Sequence, residues 1–511
     1  MDAIELSLFT SRISAVCDEM GAVLQRAAFS PNIRDRLDFS CAVFDAEGEL
    51  CAQAAHIPVH LGSMAYAMAD IVSRIDWQHG DMVIVNDPFL GGTHLPDVTL
   101  IAPVFVEAQL LGFVANRAHH ADIGSDSPGS MPISTSLDQE GQIIPPQKIV
   151  RAGELDQNFL ENLLAATRGD GSEGRGDLNA QISANQCGVN RLIDLIQHLR
   201  VEVYLNGLTN LQSYAQRLAS NALKDIPDGV YEFQDYLDDD GLGQRDIVIK
   251  TKITVHESKV DVDFSGTAEQ VAGNVNCPIS VAAAGVYYVF RCLMPDQTPA
   301  CAGSFRSISI AAPEGCLLNA KRPAAVAAGN VETSSRIVDV VMGALAKAIP
   351  DRMAAASQGS MNNLAMGGEV DGKPWDYYET IGGGMGANQK HNGLSAVQTH
   401  MTNTLNTPIE VLESRYPLRI RRYAVRENSG GQGKHNGGDG LIREYEFLKP
   451  SSVTLITERR EYTAWGLQNG GAGKAGQNRL NDKELPPKTT RQVVAGDYLT
   501  IQTPGGGGWG K

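Results

Sequence analysis

The sequence predicts a mixed α+β fold that is multi-domain and glycine-rich. At 511 residues, the chain is longer than one hydrophobic core usually supports. Segments with helical periodicity alternate with short apolar runs typical of strands, and many of the 53 glycines lie in the last third. We therefore expect an N-terminal α/β region over residues 1–226, a sheet-rich central region over 227–350 and a sheet-rich, glycine-rich region over 351–511.

The N-terminal region begins with a predicted amphipathic helix. Apolar residues recur at largely helical spacing over residues 2–29, and a Ser-Pro-Asn turn then ends the pattern. A second helical pattern covers residues 188–223. Between the two helices, alternating or continuous apolar runs predict strands at 41–45, 49–53, 82–85, 98–106 and 110–115.

The rest of the chain is predicted to form β-strands and glycine-rich segments. A turn-rich stretch at 225–229 separates the first two regions. Residues 247–255 and 259–264 alternate in polarity like the strands of a hairpin. Glycine runs dominate the last region, and for Gly382–Gly386 we predict a tight turn rather than an anion-binding nest.

Charge and cysteine usage exclude several classes of partner. A formal net charge of −16 disfavours nucleic acid and anionic membrane surfaces. The eight cysteines are scattered without CxxC pairs, which suits a reducing compartment. The first residues are acidic, and no apolar stretch approaches the roughly 20 residues that span a bilayer. We expect a cytoplasmic protein with neither nucleic acid nor membrane as a partner.

Candidate metal ligands are concentrated in the first region, where six of the eleven histidines lie between His56 and His120. His94 and Asp97 follow a buried strand in a loop rich in glycine and proline, and His119 ends a neighbouring strand. Nitrogen and oxygen donors without thiolates suit zinc, manganese or iron, with an open position for water. The N-terminal α/β region is therefore the predicted metal-binding region.

Spacing alone leaves alternatives open for these residues. A histidine or aspartate in a loop can cap a turn or satisfy a hydrogen bond instead of binding an ion. For His56 and His60, which flank Pro58, we favour loop packing or indirect support over ligation. Asp35 and Asp38, next to two arginines, could form an ordinary surface charge cluster.

Several common catalytic motifs are missing from the sequence. GxxxxGK[ST] does not occur, because Lys434 and Lys474 are followed by histidine and alanine and lack the earlier glycine. GxSxG and HExxH do not occur either. The sequence therefore predicts no P-loop for ATP, no nucleophile elbow and no zincin helix.

Nine short motifs carry a family resemblance. Those in the first 122 residues are Asp35–Ser40, Gln53–Met64, Asn86–Pro88, Gly91–Asp97 and Ala118–Asp122. The later motifs are Asp263–Thr267, Gly329–Ser334, Glu379–Gly384 and Thr503–Gly508. In this order, across almost the whole chain, they resemble the hydantoinase B/oxoprolinase family, which also contains the large subunit of acetone carboxylase.

The resemblance implies a division of labour between two subunits. A hydantoinase A-type partner would bind ATP and phosphorylate the substrate oxygen, which would account for the missing P-loop. This chain would then open the ring of a small cyclic amide substrate, namely a hydantoin, 5-oxoproline or a lactam. We expect a heterotetramer with two copies of each subunit. A ketone carboxylase subunit and a non-catalytic scaffold of an ATPase subunit remain as alternatives.

The resemblance also implies roles for individual residues. The implied ligands of a divalent transition metal (zinc, manganese or iron) are Asp38, His94, Asp97 and His119. The residues implied to support these ligands or to transfer protons are His120, Asp122 and Asp87. Of these, His120 or Asp122 is the candidate general base.

Overall fold

A computed structural model describes residues 1–54, 57–125, 127–168 and 171–511. Within these ranges the chain forms nine α-helices and four β-sheets, of seven, four, four and five strands. The predicted mixed α+β fold is confirmed. Because the candidate ligands follow or precede strands of the first sheet, the order of its strands decides where they meet.

The N-terminal sheet is antiparallel throughout, in the order β2-β1-β5-β4-β3-β6-β7. Its strands are β1 (Phe39–Phe44), β2 (Leu50–Gln53), β3 (Met82–Val85), β4 (Asp97–Val106), β5 (Gln109–His119), β6 (Gln147–Arg151) and β7 (Glu154–Leu155). All five strands predicted in this part of the sequence are confirmed. Alternate side chains enter different cores, as β3 shows: Ile84 packs on one face, Val83 and Val85 on the other.

Helices cover both faces of this sheet. They are α1 (Ala3–Ala27), α2 (Pro31–Arg34), α3 (Pro58–Ser73), α4 (Gln157–Ala165), α5 (Ser172–Leu199) and α6 (Val201–Leu223). The predicted first helix is confirmed, and a capping box between Asp2 and Glu5 fixes its start. Helices α1 and α5 pack on one face of the sheet, whereas α3 covers the other face.

The second predicted helix differs from the structure. It is two helices, broken at Arg200 (φ +72°), and α5 begins sixteen residues before position 188. The early part of α5 buries small and polar residues instead of an apolar stripe, and Gln181 and Asn185 bond to Asn116 on β5. A search for apolar periodicity therefore misses this part of the helix.

The central part of the chain contains two helices and a four-stranded sheet. The strands are β8 (Gly229–Asp239), β9 (Arg245–His256), β10 (Lys259–Asp263) and β11 (Ile308–Ala311), in the order β11-β10-β9-β8. The predicted hairpin is confirmed as β9 and β10. Helices α7 (Ile279–Leu293) and α8 (Ser334–Leu345) pack together, and the π-helical segment Gly329–Thr333 leads into α8.

Two sheets and one short helix, α9 (Ile409–Arg415), make up the last part of the chain. The four-stranded sheet has the order β13-β12-β16-β19 and the five-stranded sheet β14-β15-β20-β17-β18. Their strands are β12 (Asn363–Val370), β13 (Lys373–Glu379), β14 (Leu418–Arg426), β15 (Gly440–Phe447), β16 (Ser451–Ile456), β17 (Gln477–Leu480), β18 (Lys483–Leu485), β19 (Lys488–Val493) and β20 (Tyr498–Gln502).

Glycine-rich segments pack backbone against backbone beside these sheets. The amide of Gly506 donates to the carbonyl of Gly438 (2.9 Å), and Gly384 donates to Pro504 (3.0 Å). A Cβ at Gly384 would overlap backbone atoms of Gly438 and Gly506. The tight turn predicted for Gly382–Gly386 is wrong, because the glycines of this run avoid the left-handed region, and Gly383 pairs with Val397 in a β-bridge. Glycine is needed here for close approach.

None of the helices in the described ranges has the length and hydropathy that crossing a membrane requires.

The glycine packing makes a testable prediction. Gly384→Ala should lower the free energy of unfolding by about 3 kcal/mol, because the new methyl group meets backbone that cannot rotate away. Gly174→Ala is the matched control: this residue lies in α5, and its Cβ would meet only the tip of Leu164, at 3.2 Å. Its effect should stay within about 1 kcal/mol. Denaturant unfolding measures both, and equal effects would contradict the packing role.

Candidate metal centre

Strand pairing brings three candidate ligands together. Asp97 begins β4 and His119 ends β5, and the antiparallel register sets these two residues opposite each other. Asp38 immediately precedes β1, whose first residue pairs with Ala118, and the amide of His119 donates to the Asp38 carbonyl (3.0 Å). The cluster therefore forms where three strands start or end at one edge of the sheet.

A compact loop supplies the fourth candidate ligand, His94. Asn86 holds the loop by donating its side-chain amide to the carbonyls of Leu95 (2.8 Å) and Gln142 (2.9 Å). Gly92 packs against the Asn86 carbonyl so closely that a Cβ would overlap it. The His94 ring is fully buried, and its Nδ1 lies 3.2 Å from the carbonyl oxygen of Ala327.

The imidazoles surround the Asp97 carboxylate. His94 Nε2 and His119 Nδ1 lie 3.2 and 3.3 Å from its Oδ1. One donor atom each from His94, Asp97 and His119 lie within 4.8 Å of one another. His60 Nε2 lies 3.2 Å from Asp97 Oδ2 and 4.0 Å from Asp38 Oδ1, so this ring bridges the two aspartates.

Polar and aromatic neighbours fix these side chains. Thr93 and Asn330 donate hydrogen bonds to Asp97 Oδ2 (2.7 and 3.2 Å). Tyr378 stacks on the His119 ring at a centroid distance of 4.7 Å. Arg36 lies 3.7 Å from the Asp38 carboxylate, and its guanidinium faces the Tyr378 ring. Each ring and carboxylate is held from at least two directions.

The cluster faces a small cavity of about 20 Å³, which is room for about one water molecule. The residues around it come from distant parts of the sequence. From the N-terminal sheet and its loops they include Asp38, His60, His94, Asp97 and His119, and from later parts of the chain Asn330, Val331, Met361, Tyr378, Thr380, Met401 and Thr402.

Burial and neighbouring charges shift the pKa values of the cluster residues in opposite directions. Burial alone would raise the pKa of Asp97, but the charges of His60 and His94 and hydrogen bonds from His60 and His119 hold it well below its usual range. Burial alone would lower the pKa of His94, but Asp97 raises it above its ordinary value. For His119 burial dominates, and the pKa is lowered.

The donor set fits a divalent transition metal. His94 Nε2 and His119 Nε2 are both buried; His94 Nε2 faces the Asp97 carboxylate at 3.2 Å, and His119 Nε2 has no hydrogen-bond partner among the described residues. An unpartnered buried polar atom is costly in a dry interior, and a bound cation would satisfy both rings. The Ala327 carbonyl takes the other His94 nitrogen, an arrangement usual for metal-bound histidines.

The structure separates the residues that the sequence analysis grouped. His94, Asp97 and His119 bring their donor atoms together and Asp38 borders the same cavity, whereas two of the predicted proton-transfer residues line a different cavity, of about 600 Å³. In that cavity His120 Nε2 lies 2.8 Å from Gln181 Oε1, and Asp122 accepts amide hydrogen bonds from two loop residues. The third predicted support residue, Asp87, caps a 3-10 turn and pairs with Arg322. His56 lies outside the described residues.

Four further residues lie at the cluster. His60 contacts the two aspartates, which agrees with the indirect support that the sequence analysis favoured over ligation. Thr93, Asn330 and Tyr378 were not considered individually. Asn330 lies in the Gly329–Ser334 motif, so that motif contained the only hint of a contact from the central part of the chain.

Comparison with known proteins gives a family match. The protein-family model described as Hydantoinase B/oxoprolinase matches residues 2–511 of this chain. An uncharacterized protein of Methanocaldococcus jannaschii is 41% identical, and the alignment covers 100% of this chain and 91% of that protein. 5-oxoprolinase 1 of Arabidopsis thaliana is 39% identical over 100% of this chain, which spans only 42% of that protein. A subunit of a putative D-/L-hydantoinase from a Pseudomonas species is 32% identical, with 100% and 90% covered.

Solved structures share the fold. An ATP-dependent caprolactamase from Pseudomonas jessenii has a TM-score of 0.92 and 27% identity, covering 100% of this chain and 91% of that chain. A nucleotide-free acetone carboxylase has a TM-score of 0.88 and 17% identity, with 100% and 76% covered, which is a likeness of fold alone.

The cluster makes a prediction about bound metal. We expect about one divalent ion per chain, and His94→Ala should weaken its binding by more than about 100-fold. His120→Ala is the matched control, since this buried ring bonds to Gln181 and does not face the cluster. Elemental analysis and zinc titration measure the effects. A His94 variant that retains full metal content would refute the assignment.

Metal affinity should also depend on pH. A coordinating histidine nitrogen must be unprotonated, so protons compete with the ion. Because the pKa of His94 is raised, this competition should begin at a higher pH than for a free imidazole. We expect zinc affinity to be steady at alkaline pH and to fall as the pH drops through this raised pKa. Titrations between about pH 5 and 8 test it, and a constant affinity over that range would contradict it.

Proposed function

Because the chain belongs to the hydantoinase B/oxoprolinase family, we propose that it is the metal-dependent subunit of an ATP-dependent cyclic amide hydrolase. Its substrate would be a hydantoin, 5-oxoproline or lactam ring. The observation that carries this proposal is the buried cluster of nitrogen and oxygen donors, in which His119 Nε2 has no hydrogen-bond partner among the described residues and His94 Nε2 faces the Asp97 carboxylate. The names of the relatives and of the caprolactamase supply the reaction class.

Asp38, His94, Asp97 and His119 would hold the ion. A divalent cation with an open coordination position would acidify water and polarise an oxygen of the substrate. Thr93 and Asn330 hold Asp97, and Tyr378 holds the His119 ring, so the ligands need little reorganisation. The thiolate-free donor set suits zinc, manganese or iron.

Proton transfer is better assigned to His60 than to His120 or Asp122. His60 borders the small cavity at the cluster, whereas His120 and Asp122 border the cavity of about 600 Å³. The His60 ring is buried, and its Nε2 is turned toward Asp38 and Asp97. An imidazole oriented by carboxylates is a suitable proton acceptor near neutral pH.

ATP would act through a separate subunit of the hydantoinase A type. An amide carbonyl resists water, and a phosphoryl group on its oxygen makes the carbon electrophilic. Water would add to that carbon, the ring carbon–nitrogen bond would break as the nitrogen takes a proton, and a second water would release phosphate. Two observations support a partner: the sequence contains no GxxxxGK[ST] motif, and the 5-oxoprolinase of Arabidopsis is more than twice as long as this chain.

The proposed assembly is a heterotetramer with two copies of each subunit. A ketone carboxylase subunit is less well supported, because the likeness to acetone carboxylase is one of fold at 17% identity. A purely structural scaffold is also less well supported, since the buried and unpartnered nitrogen His119 Nε2 would be costly in a cluster that had no ligand.

The experiment is coexpression with the hydantoinase A-type subunit, followed by an ATP-dependent ring-opening screen over 5-oxoproline, hydantoins and lactams. His60→Gln should lower kcat by about 100-fold or more while the metal stays bound, because an amide cannot accept the proton. His94→Ala should abolish ring opening and leave substrate phosphorylation by the partner partly intact. Product, phosphate and bound metal are measured on one preparation. Wild-type ring opening in either variant would contradict the proposal.

A further inference from the structure

We propose that Glu140 is a positioning residue for the metal centre, through a backbone segment that sets the orientation and tautomer of His94. The inference rests on the proposed metal-dependent function. Glu140 lies outside the cluster, does not border its cavity and belongs to none of the family motifs described above. Its contacts nevertheless lead to His94 in two steps.

The first step joins Glu140 to the central part of the chain. Its Oε1 accepts hydrogen bonds from the amides of Val326 (2.9 Å) and Ala327 (3.0 Å) and from the Ser134 hydroxyl (2.7 Å). The side chain is fully buried, where a carboxyl without partners is costly. Two successive amides on one oxygen fix the backbone of residues 326 and 327.

The second step joins Ala327 to His94. The Ala327 carbonyl oxygen lies 3.2 Å from His94 Nδ1, and the opposite ring nitrogen, Nε2, faces Asp97. A neutral imidazole has one donor and one acceptor nitrogen. Because a carbonyl can only accept, the neutral His94 ring that bonds to Ala327 carries its proton on Nδ1 and leaves the Nε2 lone pair for an ion. The Ala327 carbonyl thereby favours the tautomer of His94 that can bind an ion.

Other groups hold the residues on either side of this segment. The amides of Ala328 and Gly329 both donate to the Asn274 carbonyl, and Asn276 Nδ2 donates to the Ala325 carbonyl (3.0 Å). Between them, the amides of Val326 and Ala327 donate to Glu140. Loss of Glu140 would release both of these amides, which adjoin the carbonyl that orients His94.

A purely structural role for Glu140 makes a different prediction. A buried carboxyl that only joins two parts of the chain would affect stability and leave metal geometry unchanged. Asp81 provides this comparison: it is also buried and accepts amide hydrogen bonds from Ala152 (3.0 Å) and Gln78 (2.8 Å), without any contact to the cluster.

The test measures zinc affinity by competition with a chromophoric chelator, the visible spectrum of the cobalt-loaded protein, and the thermal midpoint. Glu140→Leu should lower zinc affinity by about 10- to 100-fold and change the cobalt spectrum. Glu140→Asp, which keeps the carboxyl group but is too short to reach both amides, should have an effect in the same direction. Glu140→Gln keeps an acceptor oxygen and should remain within about tenfold of wild type. Asp81→Leu should lower only the thermal midpoint.

Wild-type zinc affinity and an unchanged cobalt spectrum in Glu140→Leu would overturn the inference. If that variant does not fold, the same result in Glu140→Asp overturns it. An equal loss of affinity in Asp81→Leu would also overturn it, since general destabilisation would then explain the effect. Wild-type protein that binds neither zinc nor cobalt would instead refute the proposed metal-dependent function.

Discussion

Across β4 and β5, Asp97 stands opposite His119, and this pairing is the constraint on which the candidate site depends. A shift of one residue would turn one of these side chains to the other face of the sheet. The register is fixed by the apolar residues that alternate between the two cores on either side of the strands. The hydrophobic effect that orders the sheet therefore also determines which polar atoms meet at its edge.

The sequence predicts most clearly the features that depend on local periodicity. The first helix, the strands of the N-terminal sheet and the β9–β10 hairpin follow from apolar spacing. The early part of α5 does not, because its buried face is made of small and polar residues whose partners lie on another strand. At the site, His94, Asp97 and His119 could be proposed from the sequence because they lie in a loop after one predicted strand and at the end of another. Asn330 and Tyr378 arrive from more than 200 residues away, which no local pattern can indicate.

Buried charges hold the later sheets against the central helices. The Arg459 guanidinium bonds to Asp235 on β8 and pairs with Asp339 on α8, while Glu458 pairs with Arg336 and Lys488. Such pairs are costly to form and more costly to break singly, so they favour one arrangement of the elements over others. Met401 and Thr402 border the small cavity at the cluster. The residue before them, His400, lies 3.6 Å from Asp339 and so joins this segment to the charge network.

The size of the cavity has a consequence for access. A space of about 20 Å³ holds about one water molecule and is too small for a cyclic amide or a chelator. Either would reach the cluster only if the residues around the cavity moved apart, so the rate of exchange of an ion with a chelator would depend on that movement as well as on the bonds to His94 and Asp97. Residence time and equilibrium affinity are then separate properties of the protein: a brief dialysis would report the first, and only prolonged equilibration the second.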